Sequence, residues 1–281
     1  MLIDSLDLLK DAMNNKYAVP AFNVENMEMI QSVLEACNEL KSPVILQTTP
    51  STLKYAEPEY FFNLVKAAQK YFNVPTVLHL DHGDSYELVV KCLKVGYSSI
   101  MYDGSKLSFN ENVENTKKVV EISKLFDVYV EGEIGRIGGK EDDLIVENAK
   151  FTDSDEAKLF VHQTNVNSLA VAIGTVHGLY KEEPNLNFNV LEKISNNLNI
   201  PLVLHGTSGV DDLDVKKTIS LGICKVNYAT DLRRIFSNSI KEYINNNPNV
   251  IDPKKYLLNA KYDLKEFIKE KILVCGSNNK Y

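Results

Sequence analysis

Three of the five histidines, His82, His177 and His205, fall where short apolar runs end, and Asp81 directly precedes the first of them. Three imidazoles on one rim would suit a divalent ion such as Zn²⁺, with one coordination position left open for substrate. Taken singly, each histidine also reads as an ordinary hydrogen-bonded residue, and spacing alone leaves both readings standing. A carboxylate beside a metal-bound substrate suits proton transfer; Asp81 could equally orient a ligand. His79 lies inside an apolar run and His162 inside a helical pattern, so both read as structural. Asn23, Gln47, Asp103, Glu133 and Asn227 end other apolar runs. Two turns are suited to phosphate: His205-Gly206-Thr207-Ser208-Gly209, and Asn227-Tyr228-Ala229-Thr230, which opens onto a helical pattern. The first is one residue short of a G-x-S-x-G nucleophile elbow. Glycine hinges and a charged tip mark residues 132–150 as a long loop suited to a lid that delivers an acid or base, or to a solvated loop without a role.

To converge, these residues need a scaffold that gathers strand ends. Eight short, nearly continuous apolar runs predict strands at 19–24, 44–47, 76–81, 99–103, 129–133, 168–173, 201–205 and 224–228. Helical patterns follow at 27–40, 59–72, 85–95, 110–126, 153–165, 188–197, 212–220 and 231–246, with one or two further helices after Pro253. Eight alternations predict an α/β fold, a single (β/α)8 barrel, over residues 1–281, with a C-terminal helical extension from about residue 252. A doubly wound open sheet is the runner-up, because periodicity does not reveal closure. In a barrel the polar strand ends listed above share one rim, the C-terminal one.

Composition narrows the partners. The 281 residues carry a net charge of −7 and no long basic run, which argues against nucleic acid. Of 31 basic residues only Arg136, Arg233 and Arg234 are arginines, so a bound phosphate would rely largely on amides, hydroxyls, lysine or a metal. Four scattered cysteines without a CxxC pair predict free thiols in a reducing compartment. No segment approaches the roughly 20 apolar residues of a membrane span, and the first residues lack the apolar core of a leader. The expected location is the cytoplasm.

Six ordered motifs resemble one family. They are Val19-Pro20-Ala21-Phe22-Asn23; His79-Leu80-Asp81-His82-Gly83; Val130-Glu131-Gly132-Glu133-Ile134-Gly135 with Gly138-Gly139 and Glu141-Asp142-Asp143; Gly174-Thr175-Val176-His177-Gly178; Leu204-His205-Gly206-Thr207-Ser208-Gly209; and Lys225-Val226-Asn227-Tyr228-Ala229-Thr230. Together, and essentially end to end, they resemble the class II zinc-dependent ketose-bisphosphate aldolases. The resemblance implies Zn²⁺ on His82, His177 and His205, with Asp103 and Glu133 at an alternative metal position. It implies Asp81 as proton donor and Glu141 as the mobile-loop base. It implies dihydroxyacetone phosphate held by Gly178, by Gly206, Thr207 and Ser208, and by Asn227, Tyr228, Ala229 and Thr230. Asn23 is placed with the substrate-binding residues, and a monovalent cation, Na⁺ or K⁺, near the phosphate.

The implied reaction is reversible cleavage of fructose 1,6-bisphosphate to dihydroxyacetone phosphate and glyceraldehyde 3-phosphate, a step of glycolysis and carbohydrate metabolism. Tagatose 1,6-bisphosphate, which differs at C4, is the alternative substrate. The front half and Glu183-Pro184-Asn185-Leu186 lean to fructose, and Leu221-Gly222-Ile223-Cys224-Lys225 and Ala229-Thr230-Asp231-Leu232 to tagatose. A metal-dependent barrel hydrolase is the remote alternative. The resemblance also implies a homodimer or homotetramer joined through the C-terminal helices. Three departures stand out: Thr207 where a smaller residue usually precedes the serine, Tyr228 where a smaller aliphatic is common, and no glycine in Thr48-Thr49-Pro50-Ser51.

Overall fold

The computed structural model describes residues 2–141, 144–146, 150–178 and 184–281. Eight parallel strands close into a barrel: β1 (Val19–Asn23), β2 (Val44–Thr48), β3 (Thr76–Gly83), β4 (Ser99–Tyr102), β5 (Tyr129–Ile134), β8 (Ser168–Val171), β10 (Leu202–Leu204) and β11 (Ile223–Tyr228). Closure is explicit, because β1 pairs with β2 through Ala21 and Ile45 and with β11 through Val19 and Lys225. This excludes the open sheet. The strands are buried on both faces, which is why they read as apolar runs rather than alternating ones.

Around the barrel run α2 (Met27–Leu40), α4 (Pro58–Ala68), α5 (Tyr86–Val95), α6 (Phe109–Lys124), α7 (Ser154–Thr164), α8 (Phe188–Asn197), α9 (Asp212–Ser220) and α10 (Thr230–Asn246). Side-chain caps start most of them. Asn26 accepts from the Met29 amide, Ser85 from Leu88, and Ser108 and Glu111 form a reciprocal capping box. The C-terminal extension is one helix, α11 (Pro253–Cys275), packed on α2 and α10.

Two helices lie outside the sequence expectation. In α1 (Ser5–Asn15), Leu8, Leu9 and Ala12 pack on Val19, Ala21, Ile45, Val77 and Cys224, so the helix caps the interior at the N-terminal end of the strands. The helix α3 (Pro50–Tyr55) has six residues, started by Thr49 and Pro50, and is too short for periodicity to register. The expected long loop after β5 also contains structure. There β6 (Gly138–Glu141) pairs antiparallel with β7 (Leu144–Val146) and parallel with β9 (Val176–His177). Among the described residues no helix is long and apolar enough to cross a membrane.

Candidate active site

Register decides which side chains meet. Inward positions recur every second residue along a barrel strand, so His79 and Asp81 of β3, Glu131 and Glu133 of β5, and Lys225 and Asn227 of β11 form two stacked layers. The upper layer opens to the C-terminal rim. Asp81 and His82 are neighbours, and strict alternation would turn them apart. The β3–β4 register shifts between Leu80 and Gly83, and His82 takes a left-handed φ of 50°. That break brings both residues to one side, with Asp81 Oδ1 3.9 Å from His82 Nε2. Non-glycine residues hold such a conformation only where their surroundings enforce it, and they cluster at functional sites.

The three rim histidines converge. One ligand nitrogen from each of His82, His177 and His205 lies within 4.8 Å of the others. His177 meets His82 edge-on at 5.1 Å between ring centroids. His82 Nδ1 donates to Asp103 Oδ2 at 2.9 Å, and His205 Nε2 donates to Glu131 Oε1 at 3.0 Å. A carboxylate only accepts, so these contacts fix the tautomers: His82 Nε2 and His205 Nδ1 carry lone pairs and face each other at 2.8 Å. Two imidazole lone pairs at that distance repel unless a proton or a metal ion lies between them. Nitrogen donors with carboxylates behind them fit Zn²⁺. His82, Asp103 and Glu133 form a second convergent group.

Asp81 is held from three sides. Asn23 Nδ2 donates to its Oδ2 at 2.9 Å, Gln47 Nε2 to the same oxygen at 3.2 Å, and Asn227 Nδ2 lies 3.4 Å from Oδ1. Gln47 also donates to Asn23 Oδ1 at 2.7 Å. The carboxylate is buried, yet it lines a cleft with Asn23, His177, Gly178, His205, Gly206, Thr207, Ser208, Asn227, Ala229 and Thr230, with Arg233 among the lining residues. Gly206 has φ 66°, and a Cβ there would lie 2.6 Å from the Val176 carbonyl oxygen. Thr207 donates its hydroxyl to the Asn227 carbonyl, tying the two turns together. The N-cap of α10 is Ala229, which supplies no side-chain acceptor; Ser208 Oγ accepts from the Asp231 amide.

Burial pushes the His205 and His79 imidazoles well below the usual histidine range, and the Lys225 ammonium adds to the shift of His79. Both are therefore neutral at physiological pH. Burial alone would raise Asp103, but the bond to His82 and those to Ser105 outweigh it and hold the acid below the ordinary range.

Of the expected site residues, Tyr228 is not brought to the cleft. Its ring stacks on Phe22 at 5.7 Å and its hydroxyl approaches Cys275, on the outer side of the barrel. Alternation explains this: Asn227 points inward, so Tyr228 points out. Glu141 ends β6, but its side chain lies outside the described residues, as do Asp142, Asp143 and Glu183. Gln47, expected on the rim, joins the buried network, and so do His79, Glu131 and Lys225, none of which was expected in the site. Charged residues two positions before a rim residue, within apolar strands, are the signal that could have found them.

A closed parallel barrel with a histidine–carboxylate cluster at its C-terminal rim defines a (β/α)8 barrel enzyme. The family model described as fructose-bisphosphate aldolase class-II matches residues 3–280, and the chain belongs to that family of lyases. It is similar to the YdjI aldolase from Escherichia coli K12, with 36% identity, 100% of this chain and 99% of that one covered, and a TM-score of 0.89. A putative fructose-1,6-biphosphate aldolase from Coccidioides immitis shares 27% identity over 98% of this chain and 97% of that one, at a TM-score of 0.89. Fructose-bisphosphate aldolase from Campylobacter jejuni, at 24% identity, 100% and 97% coverage and a TM-score of 0.85, shares the fold.

Proposed function

We propose that the protein is a zinc-dependent aldolase that reversibly cleaves fructose 1,6-bisphosphate into dihydroxyacetone phosphate and glyceraldehyde 3-phosphate. The observation that carries this reading is Asp81 Oδ1 standing 3.9 Å from His82 Nε2, in the same cleft as the turn at Gly206. Tagatose 1,6-bisphosphate is the second reading, motivated by Ala229, whose small side chain lines the cleft within the stretch that leans to that substrate.

His82, His177 and His205 would hold the zinc, and Asp103 and Glu133 with His82 an alternative position. Bound there, Zn²⁺ supplies Lewis-acid stabilisation of the charge left when the C3–C4 bond breaks. Asp81 takes the proton of the C4 hydroxyl in cleavage and returns it in synthesis. Asn23 and Gln47, donating to Oδ2, orient the carboxylate. Glu141 exchanges the proton on the dihydroxyacetone phosphate carbon. The amides and hydroxyls of Gly206, Thr207 and Ser208, with Gly178 and the first turn of α10, anchor the phosphate, aided by a monovalent cation. That remote grip converts binding energy into orientation.

The chain acts as a single domain in the cytoplasm, within glycolysis, as a homodimer or homotetramer on small sugar phosphates. Comparing kcat/KM for the two bisphosphates, with triose phosphate as readout, tests the assignment. A higher value for fructose is expected; a higher value for tagatose installs the second reading, and phosphate release without triose phosphate installs a barrel hydrolase.

A further inference from the structure

Beneath the cleft lies a charged layer that the proposed chemistry does not use. Lys225 is 1% exposed, and its Nζ donates to Glu131 Oε2 at 2.8 Å and to His79 Nε2 at 3.3 Å. His79 Nδ1 then donates to Ser99 Oγ at 2.7 Å. The other Glu131 oxygen, Oε1, accepts from His205 Nε2 at 3.0 Å. Asn227 Nδ2 also stands 3.2 Å from that nitrogen, but the proton on Nε2 goes to the carboxylate, which can only accept. The direction of every bond in the chain is therefore determined: Lys225 to Glu131, His205 to Glu131, Lys225 to His79, and His79 to Ser99.

We propose that Lys225 is a positioning residue, acting through Glu131 to present Nδ1 of His205 to the metal. Holding Oε2 fixes the plane of the carboxylate, so Oε1 faces Nε2 and fixes both the ring orientation and the tautomer. Outer contacts of this kind set the affinity of a metal site. Lys225 does not line the cleft, lies one layer below Asn227, and has its amine committed to two acceptors. It orients the site and does not attack substrate. The inference rests on the proposed zinc reading.

Zinc affinity, measured by chelator competition on the full chain, tests it, with the d–d spectrum of Co²⁺-loaded protein as a second readout. Lys225→Met frees the carboxylate to rotate, and the affinity should fall ~10–100-fold with a changed Co²⁺ spectrum. In Glu131→Gln the amide NH₂ cannot face the Lys225 ammonium. It turns to His205 instead and reverses the tautomer, with a similar loss. In the double variant Lys225→Met/Glu131→Gln that constraint is gone, so the amide oxygen can face His205 and affinity should recover severalfold over Glu131→Gln. No merely structural role predicts that recovery. The double variant also leaves no buried charge unpaired, which favours folding. Should Lys225→Met fail to fold, Glu131→Gln against the double variant decides alone. Lys225→Met affinity within twofold of wild type, or a double variant no tighter than Glu131→Gln, overturns the inference. Wild-type protein that takes up no Zn²⁺ overturns the metal reading itself.

Discussion

Nε2 of His82 and Nδ1 of His205 face one another at 2.8 Å across the barrel mouth, while the opposite nitrogen of each ring donates to a carboxylate, Asp103 and Glu131. The two carboxylates decide which nitrogens carry protons, so the lone pairs meet in the middle. His205→Ala should therefore weaken zinc binding at least ~100-fold, measured as bound metal per chain after dialysis. Wild-type zinc content in this variant would place the ion elsewhere.

Asp81→Asn separates proton transfer from shape. The amide can keep an oxygen toward Asn23 and Gln47, but it cannot take the C4 proton. Turnover should fall ~10²–10⁴-fold with zinc retained. Turnover close to wild type would leave Asp81 as an orienting neighbour of His82.

Gly206 tests the phosphate turn. Its φ of 66° and its approach to the Val176 carbonyl leave no room for a Cβ. Gly206→Ala should lower stability by about 1–3 kcal/mol and raise KM for the bisphosphate about tenfold. An unchanged melting temperature and KM would detach this turn from phosphate binding.

Acid should destabilise the metal-free protein. Burial depresses His79 and His205 in the folded state. Their contribution is fully present above the unfolded value of about 6.5. Below it the unfolded chain gains protons that the folded protein refuses, so each group removes ~1.4 kcal/mol of stability per pH unit until its folded value is reached. Asp103, held low, adds loss in the same direction at still lower pH, where the unfolded carboxylate takes a proton that the folded one does not. Denaturation midpoints at pH 8, 6.5 and 5 check this; a midpoint that does not fall between 6.5 and 5 would contradict it.

Much of this architecture was legible in the residues because burial on both faces leaves a plain mark. All eight barrel strands read as apolar runs, and polar residues end them at Asn23, Gln47, Asp81 and Asn227. Closure was not legible, since it lies in the pairing of Val19 with Lys225, some 200 residues apart. The helix α3 is shorter than two turns, and α1 buries only one narrow stripe, so neither stood out. Glu131 and Lys225 were not assigned to the site for a different reason. Each sits inside a strand, where its charge reads as an exception, and only the layering of the barrel shows that they neutralise each other beneath His205.

In the proposed reading, aldol cleavage depends on an ion that the three histidines would hold. The most direct measurement is triose phosphate formation from fructose 1,6-bisphosphate by chelator-stripped protein, before and after adding Zn²⁺. The stripped protein should form no product, and cleavage should return at one equivalent of Zn²⁺ per chain. Full cleavage by the stripped protein would contradict it.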